Sequence, residues 1–349
     1  MSDHGLITGS TLPLPEWLVA VAAVLTQLGD AWFLYLGLGL LYWLGDRRLA
    51  ANPRRVGATL IAVGLGALAI TVGLKSLFAF GRPPGAGEAV APLWLPAVAA
   101  DAYASAATGD GFSFPSGHAI GATMVYGGLA TFLDVWDRRT RLRVASVVIG
   151  VVALTRVVLG VHYVVDVVVG VAVGVGGLHL FQRVARSGFR PHPDRAFFLA
   201  AGLGLVATAV AAVGGHGAEV LEGSIALGGG LGGYLVWRLR GTETAPVGRL
   251  DTVVGLGVIA VVFGSAYGVA SLGLPYVFGV VPDTTPFRLL AVLPLSFVGV
   301  AVIVAWPTLV SKVRETRTRE EAASEAEAVA DLITEAESVG VDDEDEDAA

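Results

Sequence analysis

Nine stretches of this chain, at approximately 30–45, 56–76, 117–133, 144–161, 163–182, 196–213, 223–238, 250–272 and 287–307, are apolar over most of their length. A helix needs roughly 20 such residues to cross the hydrocarbon core of a bilayer. Lipid offers no partner to a free N–H or C=O, so a stretch of this kind has to satisfy its backbone internally, as a helix. The expected architecture is therefore an all-α polytopic membrane protein, a helical bundle of about nine spans. Composition agrees, with 54% hydrophobic and 15% charged residues among 349, where soluble domains carry about 25% charged. The segment 16–28, "EWLVAVAAVLTQL", is shorter and reads as a helix lying in the interface, with a tenth span as the alternative. Glycine is abundant, at 47 residues, which suits close helix packing in lipid. Cysteine is absent, excluding a disulfide framework and a thiol nucleophile. The first residues lack the basic region of a cleaved signal peptide, so insertion is expected to rely on the internal segments.

The charges are unevenly placed. From Ser311 onward four basic residues face fourteen acidic ones, a net −10 in a chain of −7, which leaves the membrane body slightly positive and the acidity in the tail. No basic platform for nucleic acid exists. Of the 23 Lys and Arg, nineteen fall in the loops 46–55, 134–143, 183–195 and 238–249 or at the base of the tail. A nine-span bundle puts all of these on one side, which the positive-inside rule makes cytoplasmic. Lysine occurs only at Lys75 and Lys312, and acids dominate the soluble part, a balance that suggests a halophilic archaeal source.

Four basic residues, Lys75, Arg82, Arg156 and Arg288, fall at the opposite, outer ends of spans. An ionisable residue inside a span is costly and by default marks function. In "KSLFAFGRPP" Lys75 and Arg82 are about two helical turns apart, close to a helix end stopped by Gly81, Pro83 and Pro84. Alone they would equally suit interfacial anchors; together they make a cationic surface for an oxyanion. In "FSFPSGHAIG" Ser116 is an expected N-cap. Gly117 lets a ligand approach the backbone, the free N–H groups of a first turn bind anions, and His118 stands at the mouth with a titratable proton. In "TRVVLGVHYVVD" Arg156 ends a span, Gly160 marks the turn, and His162 is followed by Asp166 one turn on. A carboxylate bonded to one imidazole nitrogen fixes the tautomer and leaves the other nitrogen free. Three cations, a helix tip and two histidines on one side of a membrane fit a phosphoryl group better than any other ligand.

Taken together the three stretches resemble the signature motifs of the type 2 phosphatidic acid phosphatase superfamily. Lys75 to Pro83 matches the first motif, Pro115 to His118 the second, and Arg156, His162 and Asp166 the third, with Thr155 where the family has serine. The resemblance covers roughly residues 16–182. It implies a five-to-six-helix phosphatase core in which His162 attacks phosphorus, Asp166 orients His162, and His118 protonates the leaving oxygen. Lys75, Arg82, Arg156, Ser116 and Gly117 would hold the phosphoryl oxygens, with neither cofactor nor metal. The implied substrates are lipid phosphate monoesters or polyprenyl diphosphates at the outer leaflet. Alternatives are a phosphotransferase on the same scaffold, a non-catalytic lipid-binding or transport protein, and a Zn²⁺ hydrolase built on His118, His162 and Asp166.

The expected organisation is an N-terminal interfacial segment (1–29), a core (30–182) with an outer loop (83–115) acting as a lid, and a C-terminal four-span extension (183–310) without an active site of its own. An acidic, largely disordered cytoplasmic tail (311–349) follows, with a weakly amphipathic helix near 322–333 and a solvated "DDEDED" run.

Overall fold

The structure, a computed structural model, describes residues 14–89, 91–187, 190–240, 247–268 and 285–342. The first thirteen residues, the end of the 250–272 stretch and the acidic run beyond Asp342 lie outside them. The fold is all-α, apart from a two-residue antiparallel pairing of Arg186–Ser187 with Arg190–Pro191. In chain order the helices are α1 (Glu16–Leu25), a 3-10 turn (Thr26–Gly29), α2 (Ala31–Leu44), α3 (Pro53–Phe78), α4 (Ala97–Ala107), α5 (Gly117–Phe132) and α6 (Arg138–Val158). They are followed by α7 (Val164–Ala185), α8 (Pro193–Val213), α9 (Gly217–Arg240), α10 (Arg249–Gly268) and α11 (Thr285–Asp342). Each of the nine apolar stretches coincides with one of these helices.

Several of the helices are apolar enough to make this a membrane protein. By length and composition α3, α7, α8 and the Leu289–Leu332 part of α11 each suffice to cross a bilayer. The pair α1 and α2 qualifies jointly, with a 44° bend at the break. The segment expected to lie in the interface is thus the first half of a broken helix pair.

Local chemistry explains the helix limits. Pro53 occupies the first turn of α3, where its missing N–H costs nothing. The helix stops at Ala79, which takes a left-handed conformation (φ 50°) and donates its N–H to Lys75 O at 2.8 Å. Asp137 caps α6, accepting from Arg139 N and Thr140 N. Ala-rich α4 forms inside the loop expected to act as a lid; alanine has the highest helix propensity.

At its C-terminal end the chain departs from expectation. Helix α11 runs through Asp342, so residues 311–342, expected to be largely disordered around a short helix near 322–333, continue the last apolar helix. The reason lies in composition: Ala, Glu and Arg are strong helix formers, and Glu315 and Arg319 are spaced as a favourable i,i+4 pair. Residues 312–332 are exposed throughout, so propensity and not packing sustains this part.

The bundle is organised around α3, whose residues Val56 to Ala67 are buried without interruption. Tyr42, Trp43, Leu60, Ile120, Met124, Phe181 and Phe197 are the large side chains of the core. Glycines set the approach of the helices. A Cβ at Gly170 would lie 2.9 Å from Ser116 O and Ala119 Cβ, and the next contacts along α7, at Gly174 and Gly177, fall on Thr123 and Met124. That row brings α7 against α5 and aligns their N-terminal ends. A Cβ at Gly230 of α9 would lie 2.6 Å from Ala201 N of α8, whereas Gly202 faces open space. Gly230→Ala should therefore lower the thermal midpoint in detergent, at a cost of about 1–3 kcal/mol, while Gly202→Ala should hold or raise it; equal midpoints for the two variants would refute this packing.

Candidate active site

Four helix ends, of α3, α5, α6 and α7, and the loops beside them meet at one end of the bundle. Lys75 lies in the last turn of α3, and Arg82 follows four residues after the helix stops. Arg82 is pinned by backbone: Nε donates to Asp110 O and Nη1 to Val161 O, both at 2.8 Å. The same Nη1 stands 3.2 Å from His162 Nε2. Arg156, in the last turn of α6 and 4% exposed, donates from Nη1 to Thr26 Oγ1 at 2.8 Å.

Between α6 and α7 the chain turns through Gly160, whose φ of +68° favours glycine. His162 lies in this corner, two residues before α7, and Asp166 is in the first turn of the helix. Asp166 Oδ2 receives three groups: His162 Nδ1 at 3.3 Å, Tyr163 N at 2.9 Å, and the Ser113 hydroxyl, which also stands 3.2 Å from His162 Nδ1. His162 and Asp166 are 3% and 2% exposed. With Nδ1–H turned to the carboxylate, the lone pair of His162 resides on Nε2, toward Arg82. Burial pushes the His162 imidazole down to about 4; the hydrogen bond with Asp166 opposes this, and the charges of Arg82, Arg156 and Lys75 add to it. His162 is neutral at physiological pH.

The start of α5 completes the arrangement. Ser116 holds the N-cap position, but its hydroxyl makes no cap bond, unlike the sequence expectation. It is fully buried under α7, its N–H donates to Asp166 O at 3.0 Å, and its Oγ has no hydrogen-bond partner among the described residues. Packing against Gly170 thus takes precedence over capping. A Cβ at Gly117 would lie 2.8 Å from Thr71 Cγ2, so the close approach at this tip demands glycine. His118 Nε2 lies 4.0 Å from Asp30 Oδ2, too far for a hydrogen bond but close enough for charge to act.

Lys75, Arg82, Gly117, His118, Arg156 and His162 line a single cavity of about 420 Å³. Asp166 stands behind His162, and Ser116 behind the helix tip. The loop 83–115 roofs the cavity through Thr108 to Phe112.

Sequence reasoning missed several residues here. Ser113 bridges the His162–Asp166 pair yet precedes the motif that drew notice. Thr26 and Asp30 arrive because α1 and α2 break at the site. Glu219 and Glu222, one turn apart on α9, line the cavity from a helix of the C-terminal extension. Their one signal was the presence of two acids at the outer edge of an apolar stretch. Asp110 lines the cavity as well. A second cleft, of about 470 Å³, lies between α2, α3, α5 and α9 and is lined mainly by Leu34, Tyr35, Ala67, Leu68, Val125 and Ile225. The two spaces share Asp30, Gly117, His118 and Glu222, so the apolar cleft opens on the charged cavity at His118.

Residues 55–188 match the family model of the PAP2 superfamily. The match takes in all three motifs and begins later than the resemblance expected from residue 16, leaving α1, α2 and α8–α11 outside it. No curated protein and no solved structure matches the chain. Residues 55–188 are thus similar to the PAP2 superfamily, which generally comprises phosphatases.

Proposed function

We propose that the protein is a membrane phosphatase that releases phosphate from lipid phosphates through a phosphohistidine on His162. One observation carries the reading: three cations and two histidines line one cavity that opens on an apolar cleft. The polar cavity suits the headgroup, and the cleft suits the chain attached to it.

The chemistry follows from the geometry. A phosphoryl group entering beside Arg82 meets the Nε2 lone pair of His162. As the P–N bond forms, positive charge develops on the imidazole, and Asp166, backed by Ser113 and Tyr163 N, stabilises it. Lys75, Arg82, Arg156 and the amides at the tip of α5 hold the nonbridging oxygens, where charge is greatest in the transition state. His118, at the mouth of the cleft, gives its proton to the departing oxygen as the P–O bond breaks, so the leaving group departs as a neutral alcohol. Water then attacks phosphorus, the P–N bond breaks, and the proton returns to His118 with release of inorganic phosphate.

Topology supports an outward-facing site. Lys75, His118, Arg156 and His162 sit at the ends of α3, α5, α6 and α7 opposite to those that carry Arg54, Arg55, Arg138, Arg139 and Arg183. On the positive-inside rule the arginine-rich ends are cytoplasmic and the cavity faces out.

Two tests bear on this reading. His162→Ala should reduce phosphate release from lipid phosphates to below a few per cent of wild type, with wild-type activity resistant to EDTA; surviving activity in the variant would remove the nucleophile, and loss on chelation would favour a metal hydrolase. The pH profile has a definite sign. The attacking form is the neutral imidazole, so kcat/KM should gain its His162-dependent acid limb near pH 4 and not near the ordinary histidine value of about 6.5. Asp166→Asn removes the bond that raises this value, and should lower both the limb and the rate.

A further inference from the structure

The neck between cavity and cleft has a composition that phosphate binding alone does not explain. His118 stands there with Asp30 on one side, 4.0 Å away, and Glu222 of α9 is shared by both spaces. Glu219 adds a third carboxylate one turn away on α9, and Asp110 a fourth from the roof. None of these four forms an ion pair with Lys75, Arg82 or Arg156 among the described residues, so they do not neutralise the cations by contact. The cations remain available to a ligand, and Arg156 Nε is buried without a hydrogen-bond partner at the cavity wall. The cavity therefore carries both signs of charge, and its exit toward the apolar cleft, at His118, passes Asp30 and Glu222.

The exit is the path of the leaving group. With phosphorus at His162 Nε2 and the chain in the apolar cleft, the broken P–O bond points past His118 between Asp30 and Glu222. A phosphate monoester sends an alkoxide this way, which takes the proton of His118 and leaves as an uncharged alcohol. A diphosphate attacked at its terminal phosphorus sends an alkyl phosphate instead, which keeps at least one negative charge after protonation. That charge would have to pass two carboxylates, the exposed Glu222 and the half-buried Asp30, and like charges within a few ångströms repel one another.

Resting on the phosphatase reading, we infer that Glu222, a residue of the helical extension outside the PAP2 segment, acts with Asp30 to select phosphate monoesters over diphosphates by repelling an anionic leaving group. Glu222 is a specificity residue in this arrangement: it makes no ion pair with Lys75, Arg82 or Arg156 among the described residues and acts on what departs. The extension thus contributes to substrate choice.

The experiment compares initial rates of phosphate release from dodecyl phosphate and dodecyl diphosphate, with the full-length protein in detergent. The two substrates share one chain, so the ratio of their kcat/KM values cancels any change in the folded fraction. Wild type should favour the monoester by about tenfold or more, and Glu222→Gln should lower that ratio about tenfold, by raising activity on the diphosphate. Glu222→Asp should retain the preference, and Asp30→Asn should lower the ratio as Glu222→Gln does. Equal or greater wild-type activity on the diphosphate, or an unchanged ratio in Glu222→Gln, would overturn the inference while leaving the phosphatase standing. Phosphate release from neither substrate would overturn both.

Discussion

Mutual repulsion among Lys75, Arg82 and Arg156 is the constraint around which this end of the bundle is built. Three like charges share one cavity, and among the described residues none has an ion-pair partner. The two arginines are instead held by neutral acceptors: two carbonyls for Arg82 and the Thr26 hydroxyl for Arg156. Such bonds fix position without cancelling charge, so the field at the floor of the cavity stays positive and an entering tetrahedral anion relieves it. The donors require no reorganisation when negative charge develops, which is the usual source of electrostatic stabilisation in phosphoryl chemistry.

Holding repelling groups in place requires a rigid frame, and glycine supplies it through close contact. The row at Gly170, Gly174 and Gly177 brings α7 onto α5 and fixes Ser116 N on Asp166 O. One helix therefore delivers the aspartate and its neighbour delivers the anion-binding tip, and the Ser116 N–H donated to Asp166 O ties the two at the site. In lipid, where hydrophobic burial does not drive helix association, such backbone approach is a principal source of affinity between spans. The site's precision thus depends on residues that have no side chain to contribute.

The motif residues were legible because their relations are local. Lys75 to Arg82 and His162 to Asp166 are fixed by a helix end and a turn, and both intervals can be counted along the chain. Ser113, Thr26 and Asp30 escaped notice because their partners lie 49, 130 and 88 residues away, distances that no periodicity encodes. Glu222 escaped for a related reason. Its apolar helix carries no motif, and only the packing of α9 against α3 turns it toward the cavity. The helix of the tail was read too short, near 322–333, because a charge count describes solvation and is silent on backbone propensity: residues 312–332 are helical and exposed throughout.

That last helix has a consequence of scale. At 1.5 Å per residue, the 58 residues of α11 extend roughly 87 Å, nearly three times the hydrocarbon thickness of about 30 Å. A segment filling that thickness accounts for well under half of the helix, and of the remainder residues 312–332 are exposed and carry six carboxylates. The chain therefore carries a long, exposed and net acidic helical arm beyond its last apolar segment.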